Sequence, residues 1–162
     1  MKEPPLAGRR IVGSPLFQSP HPFSVVEVST VCLASIVMSD IGSAPGIVSF
    51  ATATAEATVS RSDENCVLGG DPVHRARNYF SDATGQMFAG VWESTPGRWR
   101  VKYTENEFCH IVAGEVRIES DDGMAWVFGA GDSFVIPAGF SGVWEVTRPL
   151  RKLYVVFEPA SS

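Results

Sequence analysis

The stretch "GDSFVIPAGFSGVWEV", Gly131 to Val146, decides how the chain reads. Ser133-Phe134-Val135-Ile136 reads as a strand, Pro137-Ala138-Gly139 breaks the run, and a second strand leaves through Gly142, Trp144 and Val146. Proline presets one backbone angle and glycine tolerates positive φ, so the tripeptide reads as a tight turn between antiparallel strands. The same texture spreads outward from it. "QMFAGVWES", "RWRVKYT", "EFCHIVA", "EVRIES", "MAWVFG", "SFVIPA", "GVWEVT" and "KLYVVFE" are rich in β-branched and aromatic residues, and "TPG", "AGE", "DDG", "GAGD" and "TRP" punctuate them. Short strands at this spacing, with no segment of helical period, predict an all-β antiparallel sandwich or barrel.

The composition narrows the function classes. A chain of 162 residues with 44% hydrophobic residues suits one globular domain with a tail. Thirteen Lys and Arg stand against 18 Asp and Glu, a formal charge of -5, with no basic cluster. Nucleic acid and anionic membrane are therefore poor partners. Cys32, Cys66 and Cys109 are odd in number and widely spaced, which argues against a disulfide framework or a zinc site and for a reducing cytoplasm.

The chain divides near residue 65. "MKEPPLAGRRIVGSPLFQSPHP" is rich in Pro and Gly and has no periodicity. "FSVVEVSTVCLASIVM" after it is apolar but carries Glu27 and is too short to span a membrane. A signal peptide is disfavoured by the long leader, by Glu27 and by the lack of an A-x-A site. "MSDIGSAPGIVSF" from Met38 has the look of a cytosolic N-terminus, which would make Met1 to Val37 a matter of start-site choice. Residues 1–65 are expected to be a disordered or extended N-terminal segment, and residues 66–160 the folded domain. A domain of that size has sheet faces and edges to cover, so a homodimer is expected.

The motifs carry a resemblance. "GDSFVIPAG" resembles the second cupin motif, G-x5-P-x-G-x2-H, through Gly131, Pro137 and Gly139, and "EFCHIVAG" resembles the end of the first, where E-x6-G closes H-x-H-x3-E-x6-G. The wider pattern from Gly69 to Glu158 is similar to small cupins grouped with the (S)-ureidoglycine aminohydrolase cupin domain. This resemblance implies a cupin-type jelly-roll (double-stranded β-helix) barrel with a pocket between its sheets, and makes residues 66–160 the cupin domain. It also implies where metal ligands would stand. The two histidines of the first motif fall on Val101 and Tyr103, the last histidine falls on Gly142, and only Glu107 survives. A transition metal wants three or four converging N, O or S donors, so no cofactor is expected beyond a weakly held divalent ion.

Strand alternation then sketches the pocket. If Glu107 points inward, Cys109 and Ile111 share its face, and Trp99, Val101, Tyr103, Gly142, Trp144 and Val146 line the interior. The candidate ligand-binding residues are Trp99, Tyr103, Glu107, Cys109, Trp144 and Lys152. Each also has a structural role to weigh. Tryptophans dominate small sandwich cores, and a cysteine in such a place is usually a small hydrophobe. A buried Glu107 is costly unless paired, with Arg100, Lys102 and Lys152 the nearby cations in sequence. Cys109 lacks an adjacent histidine on its own face, so nucleophilic catalysis is disfavoured, and His74 lies outside the motifs. Two functions follow: binding of a small metabolite in an aromatic-lined pocket, or ureidoglycine aminohydrolase-like chemistry on a small nitrogenous acid.

Overall fold

A computed structural model describes residues 46–159. Nine strands follow in order: β1 (Thr58–Arg61), β2 (Val67–Gly70), β3 (Val73–Ser81), β4 (Met87–Ser94), β5 (Gly97–Lys102), β6 (Asn106–Ser120), β7 (Ala125–Gly129), β8 (Ser133–Ile136) and β9 (Ser141–Phe157). Every pairing is antiparallel. No helix among the described residues is long and apolar enough to cross a membrane.

Two long strands organise the sheet. What reads in the sequence as "EFCHIVA" and "EVRIES" is one strand, β6, and "GVWEVT" and "KLYVVFE" are both parts of β9. These two pair along their whole length, with register shifts between Ile111 and Val116. One half of the pair continues into a leaf ordered β1-β3-β4-β9-β6-β8, the other into a leaf ordered β2-β5-β9-β6-β7. The bend between leaves has a stereochemical cause. Gly114 has φ of 88°, and a Cβ there would lie 2.1 Å from the Pro149 carbonyl oxygen. The glycine that ends the first motif is thus needed both for its backbone angle and for the close approach of β9. Pro149 lacks an N–H, so it fits where the ladder is interrupted.

The leaves curl over one core, as a jelly roll requires. Cys109, Ile111 and Leu150 from the first leaf meet Trp99, Val116, Ile118, Trp144 and Val146 from the second. Inward parity runs as the alternation demands: Glu107, Cys109 and Ile111 are buried, whereas Phe108 is exposed. The two outer faces differ. Phe108, Val112, Val135 and Phe157 leave the first leaf apolar outside, while Arg98, Glu145, Arg117 and Glu119 form an ion-pair ladder across the second.

The Pro137–Gly139 turn positions the site directly. Phe140 N–H donates to the Pro137 carbonyl at 3.1 Å across Gly139, whose φ is 86°. Gly139 N–H donates to the Tyr103 carbonyl at 2.8 Å, and Tyr103 N–H donates to the Phe140 carbonyl at 2.9 Å. The second motif's turn therefore holds the residue where the first motif would have placed a histidine.

The sheet takes in more of the chain than the sequence pattern suggests. β1 pairs with β3 from Thr58 to Arg61, upstream of the boundary drawn at residue 66. β3 is absent from the sequence reading because "VHRARNYF" is polar on both faces, with His74 and Asn78 alternating with Arg75 and Arg77. The expectations for Met1 to Pro45 lie outside the described residues.

Candidate functional site

A cavity of about 160 Å³ opens beside the core, with Trp92, Trp99, Trp144, Tyr103, Glu107 and Lys152 among its lining residues. The three indoles pack together, Trp92 edge-on to Trp144 with centroids 5.9 Å apart and Trp99 stacked on Trp144 with centroids 6.3 Å apart. Edge strand β1 adds the hydroxyls of Thr58 and Ser60, and Ser62 follows it.

The polar centre is a buried ion pair. Lys152 Nζ donates to Glu107 Oε1 at 2.7 Å and to Cys109 Sγ at 3.4 Å. Register explains how they meet. Lys152 is directly opposite Ile111, and its long side chain reaches back along the inward face of β6 past Cys109 to Glu107. The ammonium also lies 4.5 Å from the Trp144 ring centroid and 5.0 Å from that of Trp92. With both side chains nearly inaccessible, such a pair holds only when hydrogen bonds and facing π-clouds replace the lost water.

The electrostatics follow from this pair. Burial by itself would push Lys152 down, but attraction to the Cys109 sulfur and the Glu107 carboxylate holds it above its ordinary value. Burial pushes the Cys109 thiol up to about 12, although Lys152 pulls the other way, so Cys109 stays a neutral thiol. Burial, then the negative charge of Glu107, raises the Tyr103 phenol well above 10, and Tyr103 is hydrogen-bonded to Glu107. His74 is lowered to about 4, by burial first and by the Lys152 charge second. Its Nε2 lies 2.8 Å from Ser62 Oγ and its Nδ1 3.1 Å from Ser94 Oγ, and its ring stacks on Trp92 at 5.2 Å. It is neutral at pH 7.

The residues present do not fit the transition metal that the motifs imply. Val101 offers no donor. Tyr103 is held protonated, and Glu107 is already neutralised by Lys152. Gly142 departs from the expectation that it lines the interior as a ligand position: a Cβ there would lie 2.1 Å from the Glu119 carbonyl oxygen, so no side chain can stand on it without moving β6. Among the described residues, no three His, Cys, Asp or Glu side chains are grouped to hold a metal.

Of the six candidate residues, Trp99, Tyr103, Glu107, Trp144 and Lys152 line the cavity. Cys109 does not line it; it is fully buried behind Lys152. Lys152 is the cation that pairs with Glu107, whereas Arg100 and Lys102 alternate outward and are exposed. Sequence reasoning missed Trp92, Glu105 and His74. The alternation of "GVWES" contains the signal for Trp92, and Glu105 continues the inward parity of Trp99, Val101 and Tyr103 beyond the end of β5. His74 gave no signal because its strand was not legible.

Residues 81–154 match the EutQ-like cupin domain, and the curled antiparallel sheet agrees with a cupin-type jelly roll. A protein of unknown function of the DUF861 family from Pseudomonas syringae pv. tomato str. DC3000 is similar at 25% identity over 65% of this chain and 45% of that one, with a TM-score of 0.59. The EutQ protein of Clostridium difficile is similar at 18% identity over 54% of this chain and 64% of that one, with a TM-score of 0.49. The matched part thus spans less than two thirds of either relative. No curated protein matches the chain. The finer likeness to the (S)-ureidoglycine aminohydrolase cupin domain is not carried by these matches.

The ion pair makes a testable demand. Lys152→Met strands a buried carboxylate and is expected to cost about 3–5 kcal/mol in urea unfolding. Lys152→Met combined with Glu107→Gln, which keeps a partner for Tyr103, should be more stable than Lys152→Met alone. A double variant showing the summed losses of the two single variants would show that the pair does not couple.

Proposed function

We propose that the domain binds a small metabolite in this cavity and does so without a metal. The observation that carries the reading is the cavity itself, an aromatic-walled space with Thr58 and Ser60 hydroxyls and an ordered polar centre. Ligand sites combine apolar walls with a few placed polar groups in this way. At about 160 Å³ it is smaller than the roughly 300–1,000 Å³ of drug-sized sites, which limits the occupant to a small molecule. Aminohydrolase-type chemistry is not favoured, because the donors beside Glu107 are a phenol held protonated and an ammonium. A thermal-shift screen of ureides, amino acids and amines tests the binding reading. At least one class is expected to raise the melting temperature of the natural protein and not of a Trp99→Ala variant. A screen in which no class shifts it, or in which the two proteins respond alike, would overturn the reading.

The same reading makes the domain a homodimer, packed through the apolar outer face of the first leaf. That face leaves Phe108, Val112, Val135 and Phe157 exposed, whereas the opposite leaf carries an ion-pair ladder suited to water. Sedimentation equilibrium at micromolar concentration should give twice the chain mass, and Phe108→Glu should halve it. A monomeric natural protein would contradict this.

A further inference from the structure

We infer that the molecule bound in the cavity is a small organic cation, recognised by the carboxylate of Glu105 against aromatic walls. The inference rests on the binding reading above and adds the chemical class of the ligand.

The charged groups that face the cavity come from several elements. β6 contributes Glu107 and β9 contributes Lys152, and these two neutralise each other at 2.7 Å. β3 contributes His74, which is neutral at pH 7. From β1, Arg61 is exposed and paired with Asp71. Arg100 and Lys102 border the cavity through β5, but their side chains lie on the opposite parity to Trp99, Val101 and Tyr103 and are exposed to water. The thiol of Cys109 is neutral. Of the charged side chains on the inward parity, the one left without an ion-pair partner among the described residues is Glu105.

Glu105 is only 3% exposed, lines the cavity, and forms no ion pair among the described residues. Its Oε2 accepts the Thr104 N–H at 2.8 Å and the Thr104 hydroxyl at 2.9 Å. These bonds fix the orientation of the carboxylate, and no side chain or backbone group among the described residues bonds Oε1. A carboxylate so deeply placed is costly without a cation, and every nearby cation is either committed to another acid or turned to solvent. The walls reinforce the same sign. Indole and phenol faces are electron-rich, and the protein already lodges one ammonium against Trp92 and Trp144. An incoming ammonium or amidinium would satisfy Glu105 and lie beside Tyr103 and Trp99, whereas an anion would face Glu105 with the unpaired cations nearby, Arg100 and Lys102, turned to solvent.

Three probes of equal carbon skeleton separate the alternatives: isobutylammonium, isobutanol and isobutyrate, titrated into the ¹⁵N-labelled protein at pH 7 while the tryptophan indole N–H resonances are followed. Isobutylammonium should bind about tenfold more tightly than either of the others. Glu105→Gln, which keeps the Thr104 bonds, should remove that preference by bringing isobutylammonium down to the affinity of isobutanol. Isobutyrate or isobutanol binding as tightly as isobutylammonium would overturn the cation inference and leave the binding reading standing. Failure of all three probes to move any indole resonance would overturn both. The comparison on the natural protein decides the matter even if the variant does not fold.

Discussion

The contact on which the site depends is an ammonium buried against a carboxylate. Lys152 and Glu107 are both withdrawn from water, and neither could stay charged there alone. Each supplies what the other lost, and the Trp92 and Trp144 faces and the Cys109 sulfur complete the ammonium's surroundings. The states of the neighbouring groups follow from this one pair. Its positive end helps to keep His74 neutral, its negative end helps to keep Tyr103 protonated, and desolvation around it keeps Cys109 a thiol. In a fold whose motifs would gather ligands around a metal ion, the positive charge beside Glu107 comes from a side chain instead. A cation built into the chain cannot be lost to a chelator, and it leaves no open coordination position.

The scaffold that sets this geometry is enforced at two backbone points. At Gly114, β6 and β9 approach so closely that only a hydrogen fits against the Pro149 carbonyl. Beyond that crossing the two strands stay in register, which sets Lys152 opposite Ile111 and leaves Glu107 within its reach. At Gly139, the turn bonds reciprocally with Tyr103 through two backbone hydrogen bonds. The motif glycines and proline thus carry an architectural task that does not depend on a metal ion.

How much of this the sequence disclosed varies with the kind of signal each residue carries. The period-two alternation around Glu107 was legible because the first leaf buries one face of β6 completely and exposes the other. The turn at Pro137 to Gly139 was legible because its chemistry is local. Lys152 could be named as one of three candidate partners for Glu107, but only the pairing of β6 with β9 selects it. Strand β3 was not legible because an inward histidine and asparagine erase its alternation, and with it went His74. Glu105 was not legible because it lies between two strands, where parity is not an obvious guide. Gly142 misled for a different reason: spacing places it at a ligand position, but the room for a side chain there is taken by the backbone of Glu119, a fact about β6 and not about the motif.

The central claim is that the Lys152 ammonium stands beside Glu107 in place of a metal ion. It is tested most directly by elemental analysis of the natural protein after incubation with excess nickel, zinc and manganese and removal of unbound ions by gel filtration. The account predicts well below one equivalent of every ion, because Glu107 is already neutralised and Val101 and Gly142 supply no side-chain donor. Stoichiometric metal that survives a chelator, and that disappears in Glu107→Ala, would contradict it.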